Sequence, residues 1–212
     1  MFGLRRRDFI LSGLSTVCAL PLHAQTAAKT ILVVGDSLSA EYGLARGTGW
    51  VALLVARLAD SKSPYAVVNA SISGDTTSGG RSRLAALLKQ HQPAVVVIEL
   101  GANDALRGLP LGMSEDNLAA MTKASQAVGA KVLLLGMQMP PNYGADYGKR
   151  FADMYAKVAT SHKAALVPFL LKGVADDADP LRWFQSDRIH PLASAHPRLL
   201  DNVWPTLAKL LK

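Results

Sequence analysis

Five short apolar runs recur along the chain, each separated from the next by room for a helix. Residues 30–35, 66–70, 94–100, 131–136 and 164–168 are dense in Val, Ile, Leu and Ala and show no polar alternation. Strands that are half exposed alternate; strands buried on both faces read as continuous apolar runs. Between them the apolar residues fall at helical spacing over 50–59, 79–91, 117–128 and 147–162. A last helix is expected over 192–211, kinked at Pro197 and Pro205. Strands alternating with helices predict an α/β domain with a five-stranded parallel sheet covered on both sides. In such sheets ligands sit beyond the carboxyl ends of the strands. The loops to inspect are therefore 36–49, 71–79, 101–113, 137–146 and 170–191.

Composition narrows the class. The chain has 212 residues, 50% hydrophobic and 18% charged, which suits one globular domain with a substantial core. Its 23 basic and 16 acidic residues give a net charge of +7. The Lys and Arg residues are scattered and no nucleic-acid-binding motif is present, so the charge reads as a solvated basic surface rather than a nucleic-acid site. The first residues read as an export signal: Arg5-Arg6-Arg7, an apolar stretch over 9–20, and Leu22-His23-Ala24 with a small residue at the cut. Cleavage is expected after Ala24, leaving 25–212 as a single domain. The apolar stretch is too short to serve as a stable membrane anchor. Arg6-Arg7 fits either Sec or twin-arginine export. Both imply a periplasmic or secreted protein, expected to be a monomer or weak oligomer. The one cysteine, Cys18, lies in the signal, so the mature chain has no thiol chemistry and no disulfide.

The polar clusters fall in the loops named above. Ser37, in Gly35-Asp36-Ser37-Leu38-Ser39, follows the first strand; it is a candidate nucleophile, or else a helix cap. Ser39 stands where a nucleophile elbow of Gly-x-Ser-x-Gly type has its last Gly. A serine hydroxyl needs a base. His91 and His162 end helices that lead into strands, so they face the wrong edge of the sheet. Of His190 and His196, only His190 has a carboxylate at turn spacing, Asp187. Such a pair orients an imidazole toward a hydroxyl; the bland alternative is that Asp187 caps the last helix and His190 is a surface residue. Donors for a developing oxyanion are available at Gly74, whose backbone can approach a substrate closely, at the Asn103 amide and at the Ser37 N–H. A tight turn and a helix cap are the competing roles of Gly74 and Asn103.

Taken in order, Gly35-Asp36-Ser37-Leu38-Ser39, Gly74, Gly101-Ala102-Asn103-Asp104 and Asp187-Arg188-Ile189-His190-Pro191 resemble the four blocks of the SGNH (GDSL-type) hydrolases. Ser39-Ala40-Glu41-Tyr42-Gly43-Leu44, the segment 69–77 and Pro141-Asn142-Tyr143-Gly144 are similar to the secreted bacterial thioesterase, lysophospholipase and arylesterase group. The resemblance implies a flavodoxin-like three-layer α/β/α sandwich, a triad of Ser37, Asp187 and His190, and an oxyanion hole of Ser37, Gly74 and Asn103. It implies hydrolysis of small-molecule or lipid esters and thioesters, without a cofactor. Arg188 departs from the pattern, because the block often carries Gly there. No ligand-spaced His or carboxylate cluster suggests a metal, and Asp176-Asp177-Asp179 reads as a solvated loop.

The loop 137–146 is apolar and adaptable, with Met137, Met139, Pro140, Pro141 and Tyr143. Met139, Pro140 and Tyr143 are the candidate acyl-binding residues; packing of the loop on the core is the competing account. Trp183 and Phe184 either cover the site or anchor their own loop. Two other functions use the same features: a carbohydrate acetylesterase, and a ligand-binding domain without catalysis. The second gives no reason for His190 to lie near Ser37.

Overall fold

The computed structural model describes residues 28–212; the signal segment and Cys18 lie outside the described residues. Five parallel strands form one sheet: β1 (Lys29–Gly35), β2 (Tyr65–Asn69), β3 (Val95–Glu99), β4 (Lys131–Leu135) and β5 (Ala165–Val167). Their order is β2-β1-β3-β4-β5. The helices are α1 (Trp50–Asp60), α2 (Thr77–His91), α3 (Ala102–Leu106), α4 (Leu111–Ala127), α5 (Ala145–His162) and α6 (His196–Leu210). α1 packs on α6, while α2 packs on α4 and α4 on α5, giving a helical layer on each side of the sheet. Ile31 to Val34 on β1 and Val95 to Val97 on β3 are completely buried, as continuous apolar runs require.

The topology sets a switch point between β1 and β3. From β1 the chain crosses to β2 on one side, then returns to β3 on the other. At such a reversal the loops leaving β1 and β3 diverge and a ligand can sit between their carboxyl ends. Gly35 and Glu99 are register partners at those two ends. Ser37 is two residues beyond one and Asn103 is four beyond the other.

Three details differ from the sequence-based expectation. α4 begins at Leu111, six residues before the expected 117. Its buried face carries Ser114, Asn117, Thr122 and Ser125, so polar residues point inward and obscure the apolar period. Thr122 and Ser125 satisfy their hydroxyls on the carbonyls one turn back, at 2.8 and 2.9 Å. The short α3 was expected as loop. The last helix starts at His196, after a 3-10 turn over Ala193–Ala195, and runs through both prolines as one element. Pro197 sits in the first turn, where its missing N–H has no intrahelical partner to lose. The carbonyl left without a donor by Pro205 belongs to Asp201, on the exposed side.

Candidate active site

Beyond β1 the chain turns sharply. The Asp36 carbonyl accepts the N–H groups of Ser39 and Ala40, and Asp36 Oδ1 accepts that of Leu38 at 3.0 Å. Asp36 rather than Ser37 therefore fills the capping role. The Ser37 hydroxyl is left half-buried beside the switch point between β1 and β3.

The segment after Trp183 brings the imidazole to it. Gln185 N–H donates to the His190 carbonyl at 2.8 Å, and Phe184 pairs with Pro191, which closes a tight loop around Asp187. The Gln185 side chain donates to the Tyr42 carbonyl at 2.9 Å and ties that loop to the Ser37 turn. Within the loop, Asp187 Oδ1 accepts the N–H groups of Ile189 and His190 at 2.9 and 3.0 Å. Asp187 Oδ2 meets His190 Nδ1 at 2.7 Å, and His190 Nε2 meets Ser37 Oγ at 2.9 Å. A proton on Nδ1 leaves Nε2 as the acceptor for the serine hydroxyl. Asp187 does not cap a helix; α6 starts nine residues later. Partial burial pushes its carboxyl up, but the two backbone N–H groups and the imidazole outweigh this and hold it down at about 2.

The three candidate oxyanion donors converge from separate loops. Gly74 has φ +78°, a conformation that favours glycine, so the turn by itself accounts for a glycine at this position. Among the described residues neither the Gly74 N–H nor the Ser37 N–H has a hydrogen-bond partner. Arg107 fixes the Gly74 loop by donating to its carbonyl at 2.8 Å. Asn103 lies inside α3 rather than capping it. Its Nδ2 donates to Asp36 Oδ2 at 2.9 Å and to the Asp75 carbonyl at 3.0 Å. To serve an oxyanion, that amide must share or exchange one of these acceptors.

Three features of the site were not legible in the sequence. Tyr42 lies against the imidazole, its ring centroid 4.3 Å from that of His190, and gives the ring an apolar backing. His196, set aside as a base, is buried and accepts the Trp50 N–H at 3.0 Å, so it caps α1 from the far end of the chain. Burial pushes its imidazole down to about 4, which keeps it neutral for that role. Beneath the serine lie two buried carboxyls, Asp36 and Glu99. Burial pushes Asp36 up to about 6, against the opposing Leu38 N–H, and burial together with the charge of Asp36 raises Glu99 well above the ordinary carboxylate range. Asp36 stands in the block 35–39, but nothing there shows that it is buried; Glu99 reads as one more residue of a strand.

The remaining candidates sort by position. Met139 is half-buried against the core, whereas Pro140 and Tyr143 are exposed beyond β4, with Tyr143 ending a 3-10 turn over Pro141–Tyr143. Met137 is buried in the core and lines no surface, so packing accounts for that residue. Trp183 anchors its own loop: its Nε1 donates to Asp177 at 3.1 Å, and Arg182 both stacks on its ring and bonds Asp177. Asp177 is thereby part of the loop scaffold. Among the described residues no cluster of His, Cys, Asp or Glu is arranged to hold a metal, and no helix is long and apolar enough to cross a membrane.

The contact of His190 with Ser37 removes the non-catalytic reading, which had no use for it. Comparison with known proteins points the same way. The family model described as GDSL-like lipase/acylhydrolase matches residues 33–198. The chain is 54% identical over 205 residues to the esterase TesA of Pseudomonas aeruginosa, covering 97% of this chain and 100% of that one. It is 43% identical over 175 residues to "Thioesterase 1/protease 1/lysophospholipase L1" of Escherichia coli strain K12, covering 82% and 81%. A crystal structure of TesA superposes with a TM-score of 0.82 at 56% identity, covering 86% of this chain and 99% of that one. With four ordered sequence blocks, a five-stranded parallel sheet and a hydroxyl–imidazole–carboxylate relay at its switch point, the chain belongs to the GDSL-like lipase/acylhydrolase family and is a serine hydrolase of ester bonds.

Proposed function

We propose that the chain hydrolyses acyl and aryl esters and acyl thioesters through an acyl-enzyme on Ser37. Ser37 Oγ attacks the carbonyl carbon while His190 Nε2 takes its proton. Asp187 holds the imidazole in the required tautomer and stabilises its cationic form. The negative charge that develops on the carbonyl oxygen is met by the N–H groups of Ser37 and Gly74 and by the Asn103 amide. Collapse expels the alcohol or thiol, which receives the proton from His190. Water then attacks the acyl-enzyme, giving its proton to the same imidazole, and the acid leaves as Ser37 is restored.

The observation that carries this reading is the continuous relay from Asp187 through His190 to Ser37, at 2.7 and 2.9 Å. Met139, Pro140 and Tyr143 form the apolar wall against which the acyl or aryl group lies. The N-terminal 24 residues direct the enzyme to the periplasm and are removed there.

The test is a Ser37→Ala variant assayed with p-nitrophenyl esters and acyl thioesters of graded chain length. Turnover should fall by at least about 10³-fold with the fold intact. A fluorophosphonate should label the wild-type chain once, at Ser37, as read by peptide mass spectrometry. Wild-type turnover by Ser37→Ala would overturn the mechanism. Equal rates for all chain lengths in Tyr143→Ala and wild type would remove Tyr143 from the acyl wall.

A further inference from the structure

Glu99 is the last residue of β3 and lies directly beneath the nucleophile turn. It is completely buried. One of its oxygens, Oε2, accepts the Asp36 N–H at 3.3 Å and the Ser39 hydroxyl at 2.8 Å. Those residues flank Ser37, one before it and one two beyond it. The Ser39 hydroxyl has its direction fixed, because it also accepts from Trp50 Nε1 at 3.2 Å. Room for this carboxyl exists only because Gly35 has no side chain: a Cβ there would come within 2.9 Å of Glu99 Oε2 and 2.8 Å of Ser39 Oγ.

We propose that Glu99 is a positioning residue for the nucleophile, a clamp that grips the Ser37 turn on both sides from the strand below. The proposal rests on the reading of Ser37 as nucleophile. It makes no contact between Glu99 and substrate; the residue acts through the backbone of Asp36 and the side chain of Ser39. A serine on a turn without such a grip samples orientations in which Oγ leaves the imidazole, and small displacements of reacting atoms are costly in rate.

The charge on Glu99 follows from its partners. Oε1 accepts no hydrogen bond among the described residues. The Glu99 and Asp36 carboxyls lie within hydrogen-bond reach of each other; two ionised carboxylates in a dry contact are strongly unfavourable, whereas a neutral Glu99 donates its O–H to Asp36. Burial, and then the negative charge of Asp36, raise Glu99 well above the ordinary carboxylate range. Tyr155 is the other titratable group near it; its hydroxyl donates to the Leu100 carbonyl at 3.0 Å and stays neutral in the same dry region. His190 acts on the pair through Asp36. Glu99 therefore serves as a neutral acid: it offers one acceptor oxygen and adds no second negative charge beneath the developing oxyanion.

A glutamine supplies the same acceptor without the charge, which separates positioning from electrostatics. Glu99→Leu should lower kcat for a p-nitrophenyl ester by about 10- to 100-fold with KM changed by less than about 3-fold. Glu99→Gln should bring kcat back to within about 3-fold of wild type, with an unchanged pH–rate profile between about pH 6 and 9. Ser39→Ala, which removes one of the two gripped donors, should fall between. Infrared difference spectra of wild type against Glu99→Gln should show a protonated-carboxyl band that persists at neutral pH. Should Glu99→Leu not fold, Glu99→Gln, Ser39→Ala and the infrared band still decide the matter. Wild-type kcat in Glu99→Leu, a Glu99→Gln as poor as Glu99→Leu, or the absence of that band would overturn the clamp. Fluorophosphonate labelling distinguishes the two levels of failure. A wild-type chain not labelled at Ser37 defeats the nucleophile assignment; a Glu99→Leu chain labelled at the wild-type rate defeats the clamp alone.

Discussion

Two carboxyl groups serve the same serine from opposite sides, and the structure treats them in opposite ways. Asp187 approaches from the surface, with its side chain 37% exposed, and accepts two backbone N–H groups and an imidazole. Glu99 approaches from the core, completely buried, with one oxygen gripping two donors and the other bare. Hydrogen bonds to the charged form hold the pKa of the first down to about 2; burial and the charge of Asp36 raise that of the second well above the ordinary carboxylate range. The lesson is that sequence chemistry is not charge. An acid near a nucleophile can be the electrostatic partner of the base, or an uncharged piece of scaffolding, and only the count of donors and water around it decides which.

The comparison breaks most visibly at Asp187. Asp187→Asn should lower kcat by about 10³- to 10⁴-fold, because an amide favours the wrong imidazole tautomer. The same isosteric exchange at Glu99 should change kcat by no more than about 3-fold, as above. Steady-state rates of the two variants, side by side, test the distinction directly.

Stability against pH sharpens it next. Asp187 has a folded value below its unfolded one, so it stabilises above the ordinary carboxylate range and that contribution is lost as pH falls toward about 2. Glu99 is raised, so its contribution is present at low pH and is lost as pH climbs from about 4 upward. The difference in Tm between Glu99→Gln and wild type should therefore grow in favour of the variant as pH rises above about 5. The difference for Asp187→Asn should shrink as pH falls below about 4 and disappear only below about pH 2. Subtracting wild type at each pH removes His196, whose neutral buried form makes the whole chain lose stability as pH falls through its unfolded value toward about 4. Parallel curves for the two variants would erase the contrast.

The cap supplied by His196 is a smaller effect. His196→Ala should destabilise by roughly 1–2 kcal/mol, by analogy with lost helix caps, measured by urea denaturation. The smallest effect concerns Arg188, which holds φ +59° beside Asp187 where the family pattern often has Gly. Arg188→Val should be less stable than Arg188→Gly by at least about 1 kcal/mol, since a β-branched residue tolerates that backbone poorly. Equal stability would show that the turn relaxes, and with it the grip on Asp187.

The five strands were legible because burial on both faces leaves uninterrupted Val, Ile and Leu. Ser37, His190 and their order along the chain were legible because a parallel sheet puts chemistry at one edge. What the sequence hid is polar and inward. Ser114 and Asn117 moved the start of α4 out of sight by serving the buried Asp104 and Thr77, at 3.1 and 3.0 Å. Glu99 hides inside an apolar run, and nothing beside His196 in the sequence marks it as the cap of α1. In each case a polar group is satisfied by a partner distant in sequence, which no local periodicity records.

The nucleophile lies near one end of the described chain and its base near the other, and the helix that follows the nucleophile is capped by a residue 146 positions further on. During synthesis, a polypeptide stopped before residue 187 carries the hydroxyl with no imidazole to activate it and a first helix with an open end. Hydrolytic power therefore arrives at a single moment, when the tail folds back, and a partly made chain emerging among the acyl esters of its own cell is chemically silent.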